Sequence, residues 1–305
     1  MASKRIEVKI GERTLSLSNL DKVMYPESGF TKGQVIDYYT RIADAILPHL
    51  KDRPLTLKRY PEGVEGEAFY EKNCPKHRPP WIKTATVWSG GNNRDMYYCM
   101  VQDLPSLVWV AQLGSLELHT SLSLYKKLDQ PRMLVFDLDP GPPATIVECC
   151  GVATLLREWF EAHGMHAFCK TSGSKGLQLY VPINTPMDYQ QTKLISKGLA
   201  QKLEREHPDL VVHMQRKTLR EGKVLIDWSQ NDQYKTTVNV YSLRARARPT
   251  VSTPVTWEEV ATCLETGDPN LLVFDSEAAI DRFQRLGDLF EPVLKLKRKL
   301  PAAVS

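Results

Sequence analysis

The chain has 305 residues and 34.7 kDa, and its 42 % hydrophobic, 25 % charged and 9 % aromatic content excludes a disordered or fibrous protein and allows one large domain or two modest ones. The opening MASKRIEVKIGERT lacks the apolar stretch of a signal peptide, no run approaches the ~18 apolar residues of a membrane span, and six cysteines without C-x-x-C spacing do not form a disulfide framework. A soluble, cytoplasmic globular protein with no membrane partner is expected, and the formal charge of +4 is too small by itself to name a polyanionic one.

In chain order, the first 55 residues predict a short strand, a turn around Tyr25–Gly29 and a helix. Thr31 is its cap, and Val35, Ile36, Tyr39, Ile42 and Ile46 fall at helical spacing. Residues 55–130 mix short strands with Pro- and Gly-rich loops. Cys74 and His77 have half of a zinc spacing but no second pair, so they are expected in a plain loop; Trp81, Trp88 and Trp109 are expected in the core. Met133–Asp139 predicts a buried strand. A helix carrying Ile146, Cys150, Ala153, Leu156 and Phe160 follows and ends at Gly164, its Cys149 and Cys150 reading as buried thiols. A strand (Ala167–Thr171), a tight turn (Ser172–Gly176) and a strand (Leu177–Val181) come next. A helix over 188–206 is expected to bury Leu194, Ile195, Leu199 and Leu203, with strands near 210–214, 223–228 and 236–243 beyond it. Residues 256–290 read as helical, and the basic tail around Leu294–Lys299 as frayed. This order gives mixed sheets of α/β, α+β character: an N-terminal portion of about 1–130, a catalytic-sheet portion of about 131–290 and a tail of 291–305, in a single domain.

Two acids end the apolar strand Phe136-Asp137-Leu138-Asp139-Pro140. The period of two turns Asp137 and Asp139 to one face, where carboxylates can bracket divalent cations, although a D-x-D pair also arises by chance. Asp227 interrupts a second apolar run, Val224-Leu225-Ile226-Asp227. It is either a third ligand, giving a hard oxygen set suited to Mg²⁺ or Mn²⁺, or an ion-pair partner of a neighbour such as Lys223.

The turn Thr171-Ser172-Gly173-Ser174-Lys175-Gly176 is either an anion nest with Lys175 as point charge or a plain hairpin, and it does not match a P-loop. Arg216–Arg248 carries eight Lys and Arg against three acids, a net charge of +5. Within it Leu243-Arg244-Ala245-Arg246-Ala247-Arg248 alternates. As a strand it would set three guanidiniums on one face, suited to triphosphate oxygens or a nucleic-acid backbone unless it is simply a solvated face. Lys58-Arg59-Tyr60 and Phe69-Tyr70-Glu71-Lys72 interleave cations with aromatics, a pattern for backbone contact plus base stacking.

Together the blocks LDKVMYPESGFTK, LKRYPEGVEGEAFYEKN, LELHTS, FDLDPG, TSGSKGLQLYVP, LREGKVLIDWSQN and YSLRARA resemble the polymerase domain of bacterial and archaeal ligase D, from about Leu15 to Leu289. That family is the end-joining branch of the archaeo-eukaryotic primase superfamily. The resemblance implies an RNA-recognition-like catalytic sheet with an N-terminal α/β portion. It implies a template-directed nucleotidyltransferase that extends or fills DNA ends and gaps, with two Mn²⁺ or Mg²⁺ ions and a preference for ribonucleotides. Position by position, Asp137, Asp139 and Asp227 match the catalytic metal ligands. His119, Ser172, Lys175, Gln178, Gln230 and Arg244 match the pocket of the incoming NTP or dNTP. Lys22 and Lys32 match positions that capture a 5′-phosphate; Lys58, Phe69 and Tyr70 face the template, and Arg220 lies on the strand-pairing side. The partners implied are DNA ends or gaps with a 5′-phosphate, a DNA ligase and a Ku-type end-binding protein in the nucleoid of a prokaryote, and the resemblance allows an end-to-end synapsis dimer on DNA.

One departure is visible. Where the family's second motif ends in histidine, this chain has Gln178, which can donate a hydrogen bond but carries no charge; weaker nucleotide binding or slower turnover is expected. The sequence has no K-x-D-G ligase motif, and its start at Met1 favours a stand-alone polymerase over a piece of a larger ligase. Two rivals stand beside the polymerase. One is a non-catalytic DNA-end binding or synapsis module, compatible with Gln178. The other is a D-x-D phosphohydrolase, disfavoured because Gly141 stands two residues past Asp139, where that class wants Thr or Val.

Overall fold

The computed structural model describes residues 5–91 and 93–301. Residues 1–4 of the N-terminal portion and 302–305 of the basic tail therefore lie outside the described residues. The chain forms two compact units. The first contains residues 1–121, 238–251 and 274–287, and the second contains 122–237, 252–273 and 288–305.

The first unit opens with the hairpin β1 (Arg5–Ile10) and β2 (Arg13–Ser18) and the short pair β3 (Val23–Tyr25) and β4 (Phe30–Thr31). Thr31 then caps α1 (Lys32–Arg41), accepting from the Gln34 N–H while the Gln34 side chain returns to the Thr31 N–H, so two orphan donors are satisfied reciprocally. After α2 (Ala43–Leu50) come β5 (Leu55–Arg59), β6 (Phe69–Glu71), β7 (Thr84–Ser89), β8 (Arg94–Cys99), α3 (Leu104–Gln112) and β9 (Ser115–Thr120). The order β9-β5-β8-β7 makes one antiparallel sheet, with β6 also paired to β5. Three buried tyrosines tie this unit together through their hydroxyls: Tyr38 donates to the Tyr241 carbonyl (2.8 Å), Tyr39 to that of Leu116 (2.7 Å) and Tyr25 to that of Arg244 (3.0 Å). Each ring contributes apolar burial while its polar tip finds a backbone acceptor.

The second unit is built on β10 (Met133–Pro140), α4 (Ile146–Ala162), β11 (Phe168–Thr171), β12 (Leu177–Pro182), α5 (Tyr189–Glu206), β13 (Val211–Val212) and β14 (Val224–Asp227). β15 (Thr237–Val238) lies at the border of the units, β16 (Pro254–Val255) and α6 (Trp257–Thr266) return to the second, α7 (Ser276–Leu286) belongs to the first and α8 (Glu291–Lys295) closes the second. Its sheet has the order β13-β14-β10-β12-β11-β16, antiparallel except for the β13–β14 pair. Leu134, Phe136 and Leu138 are fully buried, and Phe136 meets Phe160 of α4 edge to face at 5.7 Å. Strand alternation then turns Asp137 and Asp139 to the opposite face.

Several expectations are corrected. Leu194 is 70 % exposed, because Ile195, Leu199 and Leu203 already define the buried stripe of α5. The strand expected near 210–214 shortens to Val211–Val212, and that expected over 236–243 to Thr237–Val238. Trp88 is 54 % exposed on β7, opposite Asp95, so it is no core residue. Cys74 is disulfide-bonded to Cys99, which removes it as a metal-ligating thiolate; Cys149, Cys150, Cys169 and Cys263 are free and buried. The tail is held rather than frayed as far as Leu300: the Asn184 amide donates to the Val293 and Leu296 carbonyls, and the Arg298 N–H donates to the Ile183 carbonyl. Among the described residues no helix is long and apolar enough to cross a membrane.

Candidate active site

In the second unit, neighbouring strands bring four polar side chains into one row. Register pairs Asp137 with Asp227 on one side and with Gln178 on the other, and Gln178 in turn with Lys170. Directly opposed residues share a face, so Asp227, Asp137, Gln178 and Lys170 stand side by side across four strands, with Asp139 two residues along β10 on the same face. The hydrogen bonds follow the row. Lys170, fully buried, donates to Gln178 Oε1 (2.5 Å) and Ser252 Oγ (2.6 Å), and Gln178 Nε2 donates to Asp137 Oδ1 (3.0 Å). An ammonium only donates, so it fixes the amide with its NH₂ toward Asp137.

Asp227 is bonded within its own chain turn. Its Oδ1 accepts from the Ser229 N–H (3.0 Å) and Oγ (2.5 Å), and its Oδ2 accepts from Gln230 Nε2 (2.8 Å). Lys235 donates to Ser229 Oγ at 2.6 Å, whereas Lys223 turns away to the Pro208 carbonyl, so the ion-pair alternative is not formed. Removal from water pushes Asp137 up to about 7, and the neighbouring Asp139 and Asp227 charges add to this against the Gln178 hydrogen bond.

The turn after β11 packs on the acid strand. A Cβ on Gly176 would lie 2.0 Å from the Leu138 carbonyl oxygen, and one on Gly141 would lie 1.9 Å from that of Arg220. Only glycine fits at either point, which explains a glycine at the end of each motif. Within the turn, the N–H groups of Ser174 and Gly176 donate to Ser172 Oγ at 3.2 and 3.1 Å, so these two do not point outward as a nest. Ser172 is buried and anchors the turn that carries Lys175. Arg220 sets its guanidinium on Gln215, on both the carbonyl oxygen and Oε1.

Among the described residues no three or more His, Cys, Asp or Glu side chains are gathered as an assembled metal centre. The donor set nevertheless suits a hard divalent cation. It consists of carboxylate oxygens on one sheet face, with Asp137 directly opposite Asp227 and Asp139 two residues along the same strand.

The first unit gathers a different set. Glu117 on β9 is 1 % exposed. Its Oε2 meets His119 Nε2 (2.9 Å), and its Oε1 meets Lys58 Nζ (3.4 Å), Arg244 Nε (3.4 Å) and the Ala245 N–H (3.1 Å). Burial alone would raise Glu117, but the His119 hydrogen bond and the charges of Arg244, His119 and Lys58 outweigh it and hold the carboxyl well below its usual range. Burial pulls His119 below its ordinary value, with Glu117 opposing. Lys58 lies over Tyr70 (5.2 Å), and Tyr70 meets His119 edge to face (6.2 Å). Phe69 and Tyr70 are 47 % and 64 % exposed, available to stack rather than buried.

The alternating arginines are not a strand. Only Leu243 makes a bridge, to Val251, and the segment coils so that Arg244 turns inward to Glu117 while Arg248 reaches Glu27. Buried Glu117 attracts the first guanidinium, and no neighbouring strand pairs with the rest. Sequence reasoning missed Glu117, Lys170 and Lys235. A charged residue inside the apolar alternation Leu116-Glu117-Leu118 was the available signal for the first. Lys32 and Lys22 form a third cluster: Lys32 Nζ donates to the Ser18 carbonyl (3.0 Å), its N–H donates to the Lys22 carbonyl (2.8 Å), and Lys22 pairs with Glu62. A concavity lined by Asn19, Leu20, Asp21 and Lys22 opens beside it.

The family described as LigD, primase-polymerase domain, matches residues 31–290. The chain is 40 % identical over 279 residues to the multifunctional non-homologous end joining protein LigD of Mycolicibacterium smegmatis, covering 91 % of this chain and 36 % of that protein. To the bifunctional non-homologous end joining protein LigD of Bacillus subtilis it is 29 % identical, covering 90 % of this chain and 43 % of the relative. It thus spans well under half the length of these relatives. Among solved structures, the polymerase domain from Mycobacterium tuberculosis ligase D in complex with DNA matches with a TM-score of 0.85 at 37 % identity, covering 93 % of this chain and 99 % of that one. With the mixed sheets and their register, these matches show an archaeo-eukaryotic primase fold, and the chain belongs to the LigD primase-polymerase domain family.

Proposed function

We propose that this chain is a template-directed nucleotidyltransferase that extends or fills DNA ends and gaps during break repair by end joining, adding ribonucleotides in preference to deoxyribonucleotides. The observation that carries the reading is the in-register pair Asp137 and Asp227 with Asp139 on the same face of the sheet. Asp137, Asp139 and Asp227 are the proposed holders of two Mn²⁺ or Mg²⁺ ions. The chemistry a divalent pair supplies at such acids is activation of the primer hydroxyl and neutralisation of the departing pyrophosphate.

The chain's own residues do the rest. Gln178 steadies the Asp137 carboxylate by donating to Oδ1, and Gln230 and Ser229 do the same for Asp227. Ser172 anchors the turn that presents Lys175 to the triphosphate. His119 and Arg244 are assigned to the nucleotide on the family resemblance, with Lys58, Phe69 and Tyr70 on the template and Arg220 on the paired strand. Lys22 and Lys32 receive the downstream 5′-phosphate. A DNA ligase, a Ku-type end-binding protein and an end-to-end dimer on DNA complete the proposed partners.

The test is extension of a recessed DNA end bearing a downstream 5′-phosphate, with each nucleotide type, in Mn²⁺ and in Mg²⁺. Template-directed addition that Asp227→Ala abolishes supports the reading. Tight end binding with no addition under any condition would leave a non-catalytic binding module in its place.

A further inference from the structure

We propose that Glu117 is a positioning residue that fixes His119 in its Nε2–H tautomer and holds Arg244 and Lys58 beside it as one face for the anionic part of a nucleoside triphosphate. The clause about the nucleotide rests on the reading above; the geometry of the cluster does not.

The two oxygens of Glu117 have different company. Among the described residues Oε2 meets His119 Nε2 at 2.9 Å, while Oε1 faces the Ala245 N–H at 3.1 Å, Lys58 Nζ at 3.4 Å and, as an ion pair, Arg244 Nε at 3.4 Å. An ionised carboxylate only accepts, so the hydrogen between Oε2 and Nε2 belongs to the imidazole. The other ring nitrogen, Nδ1, then keeps a lone pair. Burial pulls the ring toward its neutral form, which leaves two fixed cations against one carboxylate and hence a net positive face. Without Glu117, Lys58 and Arg244 would repel each other across a half-buried site, and the Ala245 N–H would lose its acceptor.

The backbone supports the same arrangement. Tyr39 donates to the Leu116 carbonyl, the Leu118 N–H donates to Ser242 Oγ, and Tyr25 donates to the Arg244 carbonyl. β9 and the Leu243–Ala245 segment are thereby held in register at the height of Glu117, so a change at its carboxylate is read by the side chains around it.

Glutamine tests this with little change of shape. Its single oxygen must face the two hydrogen-bond donors at the Oε1 position, the Ala245 N–H and Lys58 Nζ, which turns its NH₂ toward His119 Nε2. That nitrogen must then accept, and the ring proton must move to Nδ1. The experiment is nitrogen-15 NMR of histidine-labelled protein at neutral pH, with His119 assigned by its loss in His119→Gln. The Nε2–H tautomer is expected in the wild type and the Nδ1–H tautomer in Glu117→Gln. In extension assays the same variant should raise the nucleotide KM about tenfold or more with kcat changed less than about threefold, and Glu117→Asp should recover part of the loss.

An unchanged His119 tautomer in folded Glu117→Gln overturns the proposal. Should that variant not fold, the wild-type spectrum decides alone, since an Nδ1–H tautomer there overturns it equally. If the tautomer switches but His119→Ala and Arg244→Ala leave the nucleotide KM unchanged, the positioning role stands and the nucleotide assignment falls.

Discussion

Asp137 and Asp227 stand directly opposite one another on β10 and β14, yet each carboxylate is bonded on its outer flank, Asp137 to Gln178 and Asp227 to Ser229 and Gln230. The two carboxylates share one face, and Asp137 is raised to about 7 by removal from water, with the charges of Asp139 and Asp227 adding to the shift. The sign follows directly. The folded chain holds a proton that the unfolded chain, near 3.8, has released, so this group's contribution to stability falls as pH rises from about 4 to 7 and is level above. Divalent binding must expel that proton. Mn²⁺ affinity measured by calorimetry should therefore rise by up to about tenfold per pH unit below 7 and flatten above it, with proton release seen as a buffer-dependent heat. Asp137→Asn should abolish the binding slope and raise the metal-free melting temperature at pH 8.

Lys32 gives a second pH dependence of opposite use. Burial lowers it to about 8, with the charges of Lys22 and Arg59 adding to the shift. An anion needs the charged form, so preference for a 5′-phosphorylated over a 5′-hydroxyl downstream end should be full at pH 7 and decline toward pH 9. Lys32→Met should remove the preference at every pH, with binding of the duplex itself reduced far less. A preference flat from pH 7 to 9 would count against Lys32 as the phosphate contact.

Much of this was legible in sequence because local rules and tertiary structure agree there. Thr31 caps its helix with Gln34 three residues on, as the spacing predicts, and the alternation around Asp137 and Asp139 gives their common face. The glycines closing the D-x-D-P-G and S-K-G segments proved to be contact points with a carbonyl oxygen, a long-range fact that spacing does not carry. The arginine alternation misled for a physical reason. Period two predicts a strand only where a neighbour can pair, and a buried carboxylate on another strand captured Arg244 instead. Lys170 and Lys235 act through partners 6 to 82 residues away in sequence, so no local pattern exposes them, and the charge inside the Leu116-Glu117-Leu118 alternation marks Glu117 without naming its partners.

The contact at Gly176 gives a stability prediction that separates geometry from chemistry. A methyl group there meets the Leu138 carbonyl at 2.0 Å, and the turn cannot shift without losing the two N–H bonds to Ser172 Oγ. Gly176→Ala should cost about 2–4 kcal/mol by chemical denaturation. Gly91→Ala, where a Cβ would meet no described residue within 4 Å, should be neutral within about 0.5 kcal/mol. Equal effects at the two sites would mean that the turn does not pack on β10 as described.

The last prediction concerns the charge that Gln178 itself lacks. Lys170 is linked to Asp137 by hydrogen bonds through the Gln178 amide, 2.5 Å and 3.0 Å on its two sides, and it is fully buried. Replacing either partner by an apolar side chain breaks the same relay: Gln178→Leu deprives Lys170 of one acceptor and Asp137 of its donor, and Lys170→Met frees the amide to rotate. Each single change should slow extension about tenfold and lower stability by about 1–3 kcal/mol, the scale of a buried polar group losing a partner. The double variant should be hardly worse than the poorer single one, because the second change removes groups already uncoupled, and its stability should partly recover as the buried ammonium with one acceptor fewer is gone. Strict additivity in both rate and stability would show that Lys170 and Gln178 act separately.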